Sequence, residues 1–219
     1  MRVVDPVLQE LRENLLRMGG LAEAILEKAL TAVWKRDRAA AREVKADDLE
    51  IDRLDVAIDE AVLRILATQA PVADDLRSVI AAKMIATDLE RVGDLARNIA
   101  KSAVRLAEHP EVSTPPRLRS LGDEVQRVLH RALDSFADDD AAVAAMVVEQ
   151  DDQVDADQDV VIRAAIEEIT THPDIVSQGV DFILIAKNLE RVADHATNIA
   201  EDVILATQAR NIKHAAKLG

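Results

Sequence analysis

Cysteine and tyrosine are absent from the 219 residues, and Trp34, Phe136 and Phe182 are the only aromatic side chains. The first absence rules out disulfides, thiolate metal sites and cysteine nucleophiles, and it suits a reducing cytoplasm. The scarcity of rings leaves a core of Leu, Ile, Val and Ala, which favours closely packed helices over a sheet. No apolar run approaches the roughly 18–20 residues needed to cross a bilayer. The opening Met1-Arg2-Val3-Val4-Asp5-Pro6 lacks the apolar block of a signal peptide, so a cytoplasmic location is expected. Basic residues are also in deficit: 27 Lys and Arg stand against 41 Asp and Glu, a formal net charge of −14. That balance weighs against nucleic acid as a direct partner and against an anionic membrane surface. Cations, or basic patches on another protein, remain open; solubility is the plain reading.

Glycine and proline are sparse, six of each, and the prolines fall where helices would begin or end. Asp5-Pro6 reads as an N-cap and first-turn proline, followed by a helical stripe of Leu8, Leu11, Leu15, Ala22, Ile25 and Ala29. Met18-Gly19-Gly20 is expected to bend or fray it. After a turn near Lys35-Arg36-Asp37, a second helix runs to about Thr68 with Ile51, Leu54, Ile58, Ala61, Val62 and Ile65 inward. Ala70-Pro71 opens a third helix that continues to about Glu108, with Asp74 and Asp75 at its positive end. At 1.5 Å per residue it is roughly 55 Å long. Three of the six prolines then crowd into His109–Pro116, the clearest boundary in the chain.

The second half repeats the plan. One helix covers about Pro116–Phe136, and a turn at Asp138-Asp139-Asp140 leads into another that ends near Thr171, with Val161, Ile162 and Ile166 inward. Another long helix starts at His172-Pro173-Asp174. The expected architecture is all-α: two three-helix bundles in tandem, residues 1–108 and 117–219, joined by a proline-rich linker at 109–116.

The repeat is most explicit in Leu89–Ala100, LERVGDLARNIA, which returns as LERVADHATNIA at Leu189–Ala200 with nine of twelve positions identical. A fixed offset of that quality marks an internal duplication. On a helical wheel Leu89, Val92, Ala96, Ile99 and Ala103 form an apolar seam. Glu90 and Asp94, four apart, stack about opposite that seam, and Asn98 continues the row. Glu190, Asp194 and Asn198 repeat it. Gly93 and Ala193 lie nearer the seam, where a small residue lets a neighbouring helix approach. Each half also carries an acidic pair one helix upstream: Asp48 with Asp52, and Asp151 with Asp155. Antiparallel packing across a short turn brings the pairs side by side, so four carboxylates are expected on the outside of each bundle.

Such a cluster is costly without a partner. One reading is a solvated acidic face with Arg91 and Arg97, or Arg191, as local salt-bridge partners. The other is a site for hard cations, since carboxylate oxygens suit Mg²⁺, Mn²⁺, Ca²⁺ or iron and can bridge neighbouring ions. A duplicated core needs to keep only its apolar pattern; here the acids are kept too.

These motifs resemble the PhoU family of phosphate-uptake regulators over the whole chain. Glu90-Arg91-Val92-Gly93-Asp94 and Glu190-Arg191-Val192-Ala193-Asp194, each followed by Asn-Ile-Ala, match that family's E/D-x-x-x-D signature. Asp48-Leu49-Glu50-Ile51-Asp52 and the looser Asp151-Asp152-Gln153-Val154-Asp155 look like its upstream partners. The resemblance implies a non-enzymatic cytoplasmic regulator that restrains phosphate-starvation signalling. Its implied partners are the ATPase subunit of the phosphate ABC transporter and a sensor histidine kinase. Membrane association would then come only through those partners, and a homodimer is the family habit. It also implies metal ions (Fe, Zn, Mn or Mg) held by Asp48, Asp52, Glu90 and Asp94 in one repeat and by Asp151, Asp155, Glu190 and Asp194 in the other.

Rival readings are a metal-dependent enzyme or metal store on the same carboxylates, and a metal-free helical adaptor. A di-iron oxidase core needs Glu-x-x-His, and none of His109, His130, His172, His195 and His214 has Glu three residues before it. His195 is expected as a half-exposed helix residue. The basic cluster Arg210–Lys217 is expected to complement the negative end of the final helix.

Overall fold

The computed structural model describes residues 5–212. Those residues form helices and no strands. The first repeat comprises α1 (Asp5–Lys35), α2 (Arg38–Gln69) and α3 (Ala73–Leu106), which pack against one another as a bundle. The second comprises α4 (Leu118–Ala137), α5 (Ala141–Val148), α6 (Asp151–Thr171) and α7 (Val176–Gln208), with a 3-10 turn at Pro173–Ile175. No helix among the described residues is long and apolar enough to cross a membrane. The Asp5 side chain and residues 213–217 of the basic cluster lie outside what is described.

Matching local signals start the second helix of each repeat. Asp37 caps α2, its side chain accepting from the backbone N–H groups of Ala39 at 2.9 Å and Ala40 at 3.1 Å. Asp140 caps α5 in the same way, accepting from Ala142 at 2.8 Å and Val143 at 3.1 Å. Asp74 and Asp75 occupy the first turn of α3, whose start lies two residues beyond Pro71.

The apolar stripes read from the sequence face inward. Leu11, Leu15, Ala22, Ile25 and Ala29 of α1, Ile51, Leu54, Ile58 and Ile65 of α2, and Leu89, Val92, Ala96, Ile99 and Ala103 of α3 are all buried. The core is aliphatic as expected, with Phe182 its only buried ring among the described residues.

Four features depart from the sequence expectation. Gly19 neither bends nor frays α1, which runs unbroken. A Cβ there would stand 2.7 Å from Cδ2 of Leu133, so glycine admits α4 close to α1. The single helix expected after Asp140 is divided at Glu149-Gln150, whereas its counterpart α2 is continuous. The break puts Asp151 and Asp152 in the first turn of α6, facing the positive end of its dipole. Ile166 points outward at 51% exposure, because the inward stripe of α6 is Val154, Gln158, Val161 and Ala165. Finally, the two repeats share one continuous core. The most extensive packing between any two helices is that of α3 against α7, one from each repeat.

Candidate functional site

Residues 70–72 alone separate α2 from α3, so the two helices return side by side and bring Asp48 and Asp52 towards Glu90 and Asp94. The meeting is tighter than a row of surface acids. Asp48 is only 1% exposed, a correction to its expected place on the outside. Its entry depends on Gly93: a Cβ there would stand 2.6 Å from Asp48 Oδ1.

A buried carboxylate needs compensation, and Arg97 supplies it. One arm of the guanidinium, Nη1, donates to Oδ2 of Asp48, and the other, Nη2, donates to Oδ1 of Asp94. Arg91 approaches from the far side, its Nη1 3.4 Å from Asp94 Oδ2 and its Nε 3.4 Å from Glu90 Oε2. Further along the face, Lys83 bridges Asp55 and Asp59. Burial still pushes the Asp48 carboxyl above its ordinary range, against the pull of Arg97. Glu90 is also raised, first by burial and then by the charge of Asp94.

The second repeat places the same acids without such a cation. Asp155, Glu190 and Asp194 each offer an oxygen, and those oxygens lie within 4.8 Å of one another. Asp151 accepts from Thr197 Oγ1 at 3.2 Å. Thr197 stands where the first repeat has Arg97, and Ala193 where it has Gly93. The ion pairs of α6 lie away from the cluster, at Arg117–Asp157 and Arg163–Asp159. Among the described residues, no Lys, Arg or His comes within ion-pair distance of Asp151, Asp155, Glu190 or Asp194.

The acids therefore act on each other. Burial raises the Glu190 carboxyl, and Asp194 and Asp155 push it further. Asp194 is raised by burial and then by Asp151 and Asp155, and Asp155 by burial and then by Asp151 and Asp152. Beside the cluster, a groove of about 930 Å³ runs along α7 from Asp151, Asp152, Asp194 and Thr197 towards Gln208. Chemically this is an open set of hard oxygen donors with a surplus of negative charge.

Of the eight acids singled out from sequence, three converge as a compact oxygen triad, Asp155, Glu190 and Asp194. Asp48 and Asp94 are brought together by Arg97. Sequence reasoning named Arg97 only as a local partner and missed its reach to a second helix. It also missed a link between the repeats. His195 Nδ1 lies 2.7 Å from Asp88 Oδ1, and Asn198 donates to that same oxygen at 3.2 Å. Asp88 sits on α3, so this trio ties the two long helices together beside the second cluster. Thus His195 is a partly buried helix residue engaged by a carboxylate. The available signal was the contrast between the copies: Gly93/Ala193, Leu95/His195 and Arg97/Thr197 are the three unmatched positions of the twelve.

The PhoU domain model matches residues 15–103 and 118–203, one match in each repeat. The phosphate-specific transport system accessory protein PhoU homolog of Pseudomonas putida is 36% identical over 211 residues, covering 94% of this chain and 81% of that protein. The crystal structure of PhoU from Pseudomonas aeruginosa superposes with a TM-score of 0.90 at 35% identity, over 94% of this chain and all of that one. The phosphate transport system regulatory protein PhoU from Streptococcus pneumoniae gives a TM-score of 0.87 at 28% identity, over 94% of this chain and 98% of that one.

Proposed function

The chain belongs to the PhoU domain family, and from that premise we propose that it is a cytoplasmic negative regulator of phosphate uptake and phosphate-starvation signalling. It acts by contact. Its partners are the ATPase subunit of the phosphate ABC transporter and the sensor histidine kinase of the phosphate two-component system, and it works as a homodimer. It is not an enzyme on this reading. The observation that carries the proposal is the extent of the likeness: a phosphate-transport accessory protein matches across 94% of the chain, through both repeats.

Metal binding belongs to the same proposal. Asp155, Glu190 and Asp194, with Asp151 beside them, offer hard oxygens at a spacing that one cation or a small cluster can bridge, and the nearby charges of Lys187, Arg191 and His195 only partly offset the raised carboxyls. These residues hold the ion, whether iron, zinc, manganese or magnesium. When bound, such an ion would supply the positive charge that offsets the mutual repulsion of these carboxylates on α6 and α7.

Deletion of the gene tests the regulatory role. Phosphate-scavenging genes should be derepressed in phosphate-rich medium, and the purified protein should retain the transporter ATPase on a column. Unchanged expression with no paralogue covering the loss, together with no retention, refutes it.

A further inference from the structure

We propose that Arg97 is a built-in counter-cation that closes the first-repeat carboxylate cluster to metal, so that this chain takes a hard cation at the second repeat alone. The inference rests on the metal-binding reading given above for Asp151, Asp155, Glu190 and Asp194, and it withdraws that reading from Asp48, Asp52, Glu90 and Asp94.

The geometry of the guanidinium is the first ground. A metal shared between α2 and α3 would draw oxygens from Asp48 on one helix and Asp94 on the other. Arg97 already spans them, one nitrogen on each carboxylate. A planar fork with fixed donor directions holds two acids more rigidly than a flexible ammonium would. An entering ion must either displace it or sit beside a positive charge.

The second ground is the depth of Asp48. It is buried against Gly93 and close to Ile51 and Ile25, whose side chains stand 3.3 and 3.5 Å from a Cβ built on that glycine. From that pocket the carboxylate reaches Arg97 but has little room to turn outward and recruit the solvent ligands that a hard ion retains.

The third ground is the second repeat itself, a natural control. There the pair Gly93/Arg97 is replaced by Ala193/Thr197. A methyl at the matching place in the first repeat would stand 2.6 Å from the buried Asp48 oxygen, and in the second repeat, where alanine holds that place, Asp151 lies partly exposed at the edge of the groove. The threonine contributes a neutral hydroxyl, 3.2 Å from Asp151, in place of a cation. Two substitutions convert a sealed ion pair into an open set of oxygens. Only the second set contains a compact group of three carboxylates among the described residues.

Manganese alone is the probe. Metal-stripped full-length protein is loaded with Mn²⁺, desalted and assayed for bound metal and protein, alongside calorimetric titration. Wild type should bind manganese, Glu190→Ala should lose it, and Glu90→Ala should keep it. Gly93→Ala/Arg97→Thr, which copies the second repeat, should bind twice as much per chain as wild type. Thr197→Arg should abolish binding, an arm that leaves Asp48 and its ion pair untouched. Far-ultraviolet circular dichroism confirms that each variant is folded. Manganese lost from Glu90→Ala but kept by Glu190→Ala overturns the inference while leaving metal binding itself intact. Unchanged stoichiometry in folded Gly93→Ala/Arg97→Thr also overturns it. No manganese in wild type or any variant sinks both readings together.

Discussion

Replacing Arg97 with threonine removes the charge that compensates Asp48, and the structure sets the size of the loss. Breaking a fully buried ion pair by deleting one partner costs about 3–5 kcal/mol, because a charge is left without compensation. An exposed pair contributes below about 1 kcal/mol. Asp48 is 1% exposed and Arg97 29% exposed, so this pair lies between those limits and solvent screens one end of it. About 2–3 kcal/mol is therefore expected at neutral pH, equivalent to roughly 4–12 °C in Tm at about 2–4 °C per kcal/mol for a chain of this size.

The cost should shrink on acidification. Asp48 already titrates above its ordinary range through burial, and without Arg97 its charged form is still less favourable. A folded pKa above the unfolded one means stability that is fully present below the unfolded value and lost as pH rises through the folded value. Arg97→Thr should therefore approach wild type near about pH 4–5 and fall away from it towards neutrality. Urea unfolding at several pH values, run as a double-mutant cycle with Asp48→Asn, measures both effects. With Asp48 neutralised, loss of Arg97 should cost no more than about 1 kcal/mol. Arg97→Thr within about 0.5 kcal/mol of wild type at neutral pH, or additivity in the cycle, would refute the reasoning.

The same sign holds for the second cluster, where Asp155, Glu190 and Asp194 are all raised. In a chelator, Tm should fall as pH rises from about 4 through their folded values, and Glu190→Gln should flatten that slope; a slope unaffected by the variant would contradict it. Gly179→Ala places a methyl inside contact with Cγ1 and Cδ1 of Ile169, a stiff β-branched side chain, and should destabilise by about 1–3 kcal/mol in urea unfolding. Gly20→Ala meets nothing within 4 Å and should stabilise α1 by about 0.5–1 kcal/mol; equal behaviour of the two alanines would show that the α6–α7 contact does not constrain Gly179.

Much of the fold was legible because helical periodicity reports direction. The seam of Leu89, Val92, Ala96 and Ile99 and the stripe of Ile51, Leu54, Ile58 and Ile65 needed only the angle between successive residues, and every one of those side chains is buried. The wheel could not report depth. Antiparallel packing of the acidic pairs implied an outward Asp48, but depth depends on how near α3 comes, and the missing side chain at Gly93 leaves room for the carboxylate. Nor could one helix reveal which others it would meet. The Asp88–His195 contact belongs to the α3–α7 packing, which neither repeat contains by itself. On α6 the stripe was read one position too far round at Ile166, since Gln158 and Ala165 complete the inward face while Ile166 does not.

What the duplication keeps and what it changes have different physical weight. The nine matched positions hold the apolar seam together with the Glu, Arg, Asp and Asn beside it, and each repeat needs them to pack its third long helix and present its acids. The three unmatched positions all bear on charge or closeness at the site. Position 93 or 193 decides whether a carboxylate can enter the bundle. Position 97 or 197 decides whether a cation is already there. His195 in place of Leu95 engages Asp88 across the repeats, so the second cluster is anchored to the first bundle by a polar contact. Two of these three changes, at 93/193 and 97/197, act on the same carboxylates, and together they leave one copy sealed from within and the other with oxygens to spare.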